Sequence, residues 1–316
     1  MPFKKALGGA IKVTLALVAL VVMAECVLRF GLGLGNPVLI TPDPACNYTL
    51  KPNQDIFRFF AHTFINSYGM RSDEVPAYRV PHSLRLMFVG DSITYGTSRV
   101  DQSKIFTEIL HRDLPSIAHQ PVEVLNASAS AWAIDNELSY VRSRGIFHSD
   151  IVLLVLNSGD LAQPRNTMAQ VGDDLPQNRE ATAIGELWTR YIGPRILGLH
   201  RHVDAGDNTN DQAGDVIRAN VTELEAFRVL VTSQHARMVL VYVPFRKDLA
   251  TASAASDATL HAWAATHQVP LFDLTSAESP YSAREITLDG GIHFNEKGHR
   301  LVADAIERAW PSLDQP

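Results

Sequence analysis

The sequence predicts an α/β fold, a three-layer α/β/α sandwich around a parallel five-stranded sheet. Three observations lead to this prediction. Short, unbroken apolar runs of strand length recur along the 316-residue chain after residue 83. Patterns with the 3.6-residue period of an amphipathic helix lie between these runs, and turn residues mark the boundaries. Strands that alternate with helices in this way form parallel sheets that helices cover on both faces.

Residues 1–30 predict a helix that spans a membrane. Residues 6–28 are almost entirely apolar, which matches the ~20 residues that a bilayer requires. Lys12 can extend its ammonium group to one interface, and Glu25 and Arg29 are spaced to pair at the other. Two lysines precede the apolar stretch. Because cationic flanks stay on the cytoplasmic side, we expect the rest of the chain on the outer side.

Two other interpretations of this segment stay open. Val22-Met23-Ala24 would serve as the cleavage site of a signal peptide, and a buried core helix would have a similar composition. We favour an anchor that stays attached, because the apolar residues continue past Ala24.

Charge and cysteine content exclude several classes of function. The chain carries 28 Lys and Arg against 34 Asp and Glu, a formal net charge of -6. An acidic chain is poorly suited to nonspecific nucleic-acid binding, so we expect no nucleic-acid partner. The two cysteines, Cys26 and Cys46, belong to no Cys/His cluster of metal-binding spacing. We therefore expect no metal ion.

Residues 31–82 precede the regular pattern. They are rich in Pro, Asn and polar residues, which is typical of an extracytoplasmic tether with a small irregular lead-in. The regular domain is expected to cover residues 83–316. Its predicted strands are the apolar runs 85–89, 122–125, 151–156, 238–243 and 269–272.

Helical patterns separate the predicted strands. Apolar residues repeat at helical spacing over 105–114, 135–143 and 217–231. Asp135 is a suitable N-cap for the second of these helices. A further helix is expected between the last two strands, and a closing helix after Gly298.

Residues 161–214 have no clean period apart from one short helix. That helix covers residues 187–192, and Gly193-Pro194 is expected to end it. A long irregular stretch inside a compact domain is usually functional or mobile. Trp188 and Tyr191 could belong to a lid over a site, although aromatic residues at helical spacing more often pack in a core.

A serine follows the first predicted strand directly. The sequence Gly90-Asp91-Ser92-Ile93-Thr94-Tyr95-Gly96 places Ser92 in a turn at the carboxyl end of a buried strand. In open parallel sheets, functional sites lie beyond this edge. Thr94 stands where a G-x-S-x-G elbow has its second glycine, so the motif is a different one. Ser92 is a candidate nucleophile, and helix capping is its simpler role.

A histidine near the C-terminus favours the catalytic role. His293 lies in a loop before the last predicted helix, four residues after Asp289. A serine hydroxyl needs a neighbouring base to become a nucleophile, and the base needs a carboxylate that orients it. Ser92, His293 and Asp289 are therefore the predicted catalytic residues.

These motifs resemble those of the SGNH/GDSL hydrolase family. The matching blocks are GDSITYG at 90–96, LNASASAW at 125–132, LNSGD at 156–160 and DGGIHFNEKGH at 289–299. The N-terminal helix and the segment INSYGMRSDEVP look like the lead-in of its membrane-anchored bacterial members. The resemblance implies the SGNH hydrolase fold, with Ser92 as nucleophile, His293 as general base and then general acid, and Asp289 as the group that orients His293.

The chain departs from the family pattern at three places. The family has its Asp three residues before the His, where this chain has Gly290, and Asp289 comes one residue earlier. The family builds its oxyanion hole from the N–H of the nucleophile, here Ser92, a glycine N–H and an Asn side chain. In this chain Ser128 replaces that glycine and Gly159 replaces that asparagine. A missing oxyanion donor costs roughly 10²–10³ in rate.

Asn157 or Asn166 could supply the missing donor. Asn157 precedes Gly159 by two positions, so the two share one side of an extended strand. Asn166 follows in the next loop. The simpler alternative is that Asn157 bonds the neighbouring loop backbone. The predicted oxyanion hole thus consists of Ser92, Ser128, Gly159 and Asn157.

The resemblance implies a serine esterase that cleaves O-acyl esters, above all O-acetyl esters, through an acyl-Ser92 intermediate. This reaction would need no metal or organic cofactor. Its substrate would be an acylated small molecule or a carbohydrate of the cell envelope, by analogy with the fold. An O-acyltransferase with a sugar hydroxyl as acceptor is one alternative, and a non-catalytic glycan-binding or assembly protein is another. The expected location is the bacterial inner membrane, crossed once, with the catalytic domain on the periplasmic or extracellular side.

Overall fold

The computed structural model describes residues 2–76, 79–167, 176–197, 210–244 and 254–313. Within these residues the strands are β1 (Ile40–Asp43), β2 (Asn47–Leu50), β3 (Gln54–Arg58), β4 (Ala61–Ile65), β5 (Leu84–Gly90), β6 (Val122–Ser128), β7 (Ile151–Asn157), β8 (Arg237–Val243) and β9 (Leu271–Asp273). The helices are α1 (Pro2–Cys26), α2 (Ser92–Tyr95), α3 (Phe106–Ala118), α4 (Ile134–Arg144), α5 (Ala183–Glu186), α6 (Gly193–Ile196), α7 (Asn210–Ser233), α8 (Ala254–Thr266), α9 (Thr275–Glu278), α10 (Ala283–Ile286) and α11 (Glu296–Leu313).

The central sheet has five strands in the order β6-β5-β7-β8-β9, and each neighbouring pair is parallel. All five predicted strands are present, and the structure extends the one at Val122 as far as Ser128. The next strand in the chain, β6, pairs with one edge of β5, and the strand after it, β7, pairs with the other edge. Such a switch in direction opens a crevice at the carboxyl ends of the strands.

Helices cover both faces of the sheet, as the sequence predicts. Alternate residues of each strand point to opposite faces. Met87 and Leu154 pack with α4, α7 and α8, whereas Phe88 and Val155 pack with α3 and α11. The result is a three-layer α/β/α sandwich with two apolar cores.

Residues 31–82 are more regular than expected. They contain two antiparallel hairpins, β1–β2 and β3–β4. Tyr48 and Ile65 are fully buried in the same core as the sheet, and the indole N–H of Trp132 donates to the Tyr48 carbonyl at 3.1 Å. The irregular lead-in predicted here was therefore wrong. In β3 the burial alternates residue by residue, a pattern that the high polar content conceals.

Two predicted helix boundaries were also wrong. The N-cap of α4 is Ala133, and Asp135 lies in the first turn. Gly193-Pro194 does not end the helix at 187–192. A π-helical turn covers Leu187–Ile192, and an α-helical turn follows it from Gly193 to Ile196. Proline, which has no N–H to donate, is tolerated at the start of the new turn.

One helix within the described residues is long and apolar enough to cross a membrane. It covers Gly8–Gly31 with a hydropathy of 2.4, and it is not buried against the rest of the protein. Near its end the Arg29 guanidinium lies 2.8 Å from the Glu25 carboxylate, the pairing that their spacing predicts.

Candidate active site

Ser92 begins a short helix at the carboxyl end of β5. Asp91 is the N-cap of this helix, and its carboxylate accepts a hydrogen bond from the Ile93 N–H at 2.8 Å. Gly96 ends the helix at φ 79°, and its N–H donates to the Ser92 carbonyl at 2.9 Å. A Cβ at this glycine would collide with Ile105 in addition to requiring the left-handed conformation. The turn is thus closed tightly around the serine.

His293 lies against Ser92, although 201 residues separate them in the chain. The Nε2 atom of His293 is 2.9 Å from the Ser92 Oγ, within hydrogen-bond distance. The carbonyl of His293 accepts the N–H of Leu288 at 2.7 Å, and Thr287 and Phe294 form a β-bridge across the loop. These backbone bonds fix the loop that presents the imidazole. A hydroxyl and an imidazole in this arrangement are equipped for nucleophilic attack with base assistance.

Asp289 lies in a helical turn, Leu288–Gly290, directly before the loop of His293. Its carboxylate falls outside the described part of the structure. The predicted role of Asp289 stays a prediction.

Ser128 lies at the carboxyl end of β6, in register with Gly90 of β5. It is buried, and its hydroxyl donates to the side-chain oxygen of Asn126. The amide of Asn126 donates in turn to the Thr94 carbonyl at 2.9 Å and to the Thr107 hydroxyl at 3.0 Å. Asn126 therefore ties the second motif to the helix of Ser92, and Ser128 stands next to that helix. Its predicted contribution to an oxyanion hole stays a prediction.

Asn157 and Gly159 follow on the other neighbouring strand, β7. The Asn157 amide donates to the Asp91 carboxylate at 3.0 Å, and the Asn157 N–H donates to the Asp160 carboxylate at 2.7 Å. Gly159 has a φ of 97°, and a Cβ built on it would meet no atom within 4 Å. The amide of Asn166 donates to the Ala131 carbonyl. The structure thus brings Asn157 to the N-cap of the Ser92 helix, while Gly159 faces open space.

Three buried carboxyl groups lie behind Ser92, and sequence reasoning assigned a role to none of them. Burial raises the pKa of Asp91 to about 6, against the hydrogen bonds from Ile93 and Asn157 that lower it. Burial, with the charge of Asp91 added, raises the pKa of Asp160 well above its usual range. Burial, with the charges of Asp160 and Asp91 added, raises the pKa of Glu137 on α4 in the same way. The signal available for Asp91 was its position as an N-cap one residue before the serine.

Arg71 is a second residue that sequence reasoning missed, although its segment was noted. Its side chain is fully buried. The guanidinium donates to the carbonyls of Tyr95 at 2.7 Å, Thr97 at 2.6 Å and Val100 at 2.6 Å. Burial lowers the pKa of this guanidinium. Arg71 thus fastens the loop that follows Ser92 to the N-terminal part of the chain.

The fold and the site define a class of protein. A parallel α/β/α sandwich that presents a serine hydroxyl to an imidazole at the carboxyl ends of its strands is the arrangement of a serine hydrolase. The chain belongs to the GDSL-like lipase/acylhydrolase family, whose model matches residues 88–301. The family is thus the one that the sequence motifs indicate. Comparison with curated proteins gave no match.

Solved structures of similar fold include lipolytic enzymes. A lipase/acylhydrolase from Enterococcus faecalis shares 16% identity, over 74% of this chain and 98% of that one, with a TM-score of 0.46. A lipolytic protein of the G-D-S-L family from Veillonella parvula shares 14%, over 72% and 98%, with a TM-score of 0.46. A two-domain esterase active on acetylated mannans shares 14%, over 73% and 50%, with a TM-score of 0.47.

Proposed function

We propose that the protein hydrolyses O-acyl esters through an acyl-Ser92 intermediate. The observation that carries the proposal is the 2.9 Å contact between the Ser92 hydroxyl and the His293 imidazole. The Ser92 Oγ attacks the ester carbonyl while His293 takes its proton. His293 then gives that proton to the departing alcohol. Water attacks the acyl-serine with His293 again as base, and the acid leaves.

The oxyanion of each tetrahedral intermediate needs hydrogen-bond donors. We assign this role to the backbone N–H groups of Ser92 and Ser128. Ser128 is the last residue of β6, and Ser92 is the first residue of the helix that follows the adjacent strand, β5. Asn157 stands beside them, and its amide also supports Asp91. Gly159 supplies no side-chain donor. The proposed hole is therefore built mainly from the backbone.

The proposed substrates are O-acetyl esters on cell-envelope carbohydrate. The support is the apolar N-terminal helix, which would hold the domain at the outer face of a bacterial inner membrane. The end of this helix is bonded to the folded domain, because Glu25 accepts the N–H groups of Ala183 at 2.8 Å and Ile184 at 3.0 Å. Cleavage after Ala24 would remove the helix but leave these bonds.

The test is p-nitrophenyl acetate hydrolysis by the full chain in detergent. Wild type should turn over, Ser92→Ala should not, and Ser276→Ala, at an exposed serine, should behave as wild type. Equal rates in wild type and Ser92→Ala would overturn the acyl-serine route. A parallel assay with O-acetylated envelope glycan, following acetate release, tests the substrate class. Acyl groups that appear on an added glycan acceptor instead of in solution would identify a transferase.

A further inference from the structure

The helical segment at residues 183–196 has its apolar side outward. We refer to α5, the π-helical turn and α6 together as the inverted helix. Trp188, Ile192 and Ile196 recur at four-residue spacing on one face and are 53%, 37% and 68% exposed. Leu197, just beyond, is 65% exposed. A helix on a water-soluble surface normally has the reverse arrangement.

The inner face of the inverted helix holds a charge. Glu186 is completely buried, and its carboxylate pairs with the Arg58 guanidinium, itself buried. The same guanidinium donates to the Tyr191 hydroxyl at 2.8 Å, and the Gly35 N–H donates to Glu186. A helix rotated to bury its apolar face would either expose this network to water or leave one buried charge without its partner, which is strongly destabilising. The outward direction of Trp188 is thus fixed by the fold.

The inverted helix starts at the end of the apolar N-terminal helix. Besides the bonds from Ala183 and Ile184 to Glu25, the Arg29 guanidinium donates to the Ala181 carbonyl at 3.0 Å. The start of the inverted helix therefore lies at the point where the N-terminal helix meets the domain. Phe30, at that point, is 76% exposed.

A hairpin tip adds a third exposed aromatic residue. Phe59 and Phe60 form the two-residue turn between β3 and β4, with φ values of 51° and 63°. Such turns favour Asn-Gly, because both central residues need positive φ, and a bulky residue there is strained. Phe60 is 75% exposed, and the Phe59 N–H donates to the Leu32 carbonyl at 3.0 Å. The strained turn thus presents an aromatic ring close to the end of the N-terminal helix.

We propose that these residues form a membrane-contact surface that lies in the headgroup region of the bilayer beside the anchor. We call it the interfacial surface; it consists of Phe30, Phe60, Trp188, Ile192, Ile196 and Leu197. Exposed apolar groups collected in one place mark an interaction site. Aromatic residues favour the membrane–water interface, and the exposed Arg195 on the same helical segment suits lipid phosphates.

The bilayer is the occupant that the position selects. A second copy of the chain would also cover apolar residues, but it would have to approach where the anchor already brings lipid. The inference rests on the proposed retention of the anchor and is independent of the chemistry at Ser92. In the membrane, the domain would be held by two contacts, the spanning helix and the interfacial surface. The domain would then have one fixed orientation to the lipid.

Trp188 is itself the probe for the test. The other three tryptophans, Trp132, Trp263 and Trp310, are all buried, so the difference between wild type and Trp188→Phe isolates the emission of Trp188. The full chain is placed in nanodiscs of phosphatidylethanolamine and phosphatidylglycerol, at one copy per disc, with or without bromine on the upper acyl chain. We expect brominated lipid to remove most of the Trp188 emission and aqueous acrylamide to have little effect.

A matched control moves the indole to an exposed site elsewhere. Val229, on α7, is 50% exposed, close to the value for Trp188. In the double variant Trp188→Phe/Val229→Trp, acrylamide should quench the emission of the introduced indole, and brominated lipid should not. The inference is overturned if Trp188 behaves in the same way, or if its shielding appears only in discs that hold two copies. A chain that washes off membranes would instead refute the anchor, and p-nitrophenyl acetate turnover would be unaffected by either failure.

Discussion

The side chain of Asn157 donates a hydrogen bond to the carboxylate of Asp91, 3.0 Å away. Asp91 in turn caps the helix that begins with Ser92. The residue that sequence reasoning proposed as an oxyanion donor therefore supports the N-cap of the helix that carries the nucleophile. This contact connects β7 to the turn after β5 and links the pKa of a buried carboxyl group to the position of the serine.

Loss of Asn157 should lower kcat and move the acid limb of the pH profile upward. The amide lowers the pKa of Asp91, which burial raises to about 6. Removing the amide raises that pKa further, so Asp91 becomes protonated, and a poorer acceptor, at higher pH. We expect Asn157→Ala to lose roughly 10–100-fold in kcat, as for a charged hydrogen bond. The measure is the shift of the acid limb between the two proteins. Asn166→Ala is the control and should keep the wild-type profile.

His293→Ala should abolish turnover and covalent labelling together. Without the base, the Ser92 hydroxyl is a weak nucleophile, and losses of roughly 10⁴–10⁶-fold are expected. A fluorophosphonate probe reports the nucleophile directly. Labelling of His293→Ala at the wild-type rate would remove His293 from the mechanism.

Gly159→Asn should increase esterase activity. The position faces open space, and asparagine tolerates positive φ better than most residues. A new amide near the nucleophile could supply an oxyanion donor, worth up to roughly 10² in kcat on a small acetyl ester. Gly159→Ala has similar backbone strain and no donor. Equal kcat values for the two variants would show that this position does not face the oxyanion.

Phe60→Asn should stabilise the protein and weaken its contact with lipid. Asparagine accepts the left-handed conformation that strains phenylalanine, so the free energy of unfolding should rise by about 1 kcal/mol. Denaturation in detergent and Trp188 quenching in brominated nanodiscs measure the two effects. A variant that is less stable would mean that Phe60 packs against the fold.

Glu137→Gln should remove part of the pH dependence of stability. Burial raises the pKa of Glu137 in the folded state, and one of its oxygens has no hydrogen-bond partner in the structure. The folded state therefore holds this proton more tightly than the unfolded state, and stability falls as pH rises above ~4.3. In denaturant melts, the free energy of unfolding of the variant minus that of wild type should be larger at pH 8 than at pH 5. A difference that is constant across that range would contradict the burial argument.

The sheet and the serine–histidine pair could be predicted because their signals are local in the sequence. Unbroken apolar runs define β5, β7 and β8. The serine motif comes directly after β5, and the histidine motif comes directly before the last helix. The hairpins at 31–82 were missed because their alternation is short and their composition is polar.

The contacts around Ser92 could not be predicted in the same way. Whether Asn157 turns toward the oxyanion or toward Asp91 depends on the turn after β7, where Gly159 adopts a positive φ. Burial of Glu137 depends on which face of α4 meets the sheet. Arg71 meets its three carbonyls only in the folded chain. Trp188 was interpreted as part of a lid or a core, and its exposed position beside the N-terminal helix follows from the buried ion pair of Glu186.

The distance in sequence between Ser92 and His293 has a consequence for biogenesis. In the proposed topology the chain crosses the membrane from its N-terminal end, so Ser92 emerges long before His293, 201 residues later. Arg71 would be available to fasten the turn of the serine almost at once, but no base could reach it. The hydrolytic pair would form only after translocation is nearly complete. Esters on the cytoplasmic side would therefore never encounter an active nucleophile.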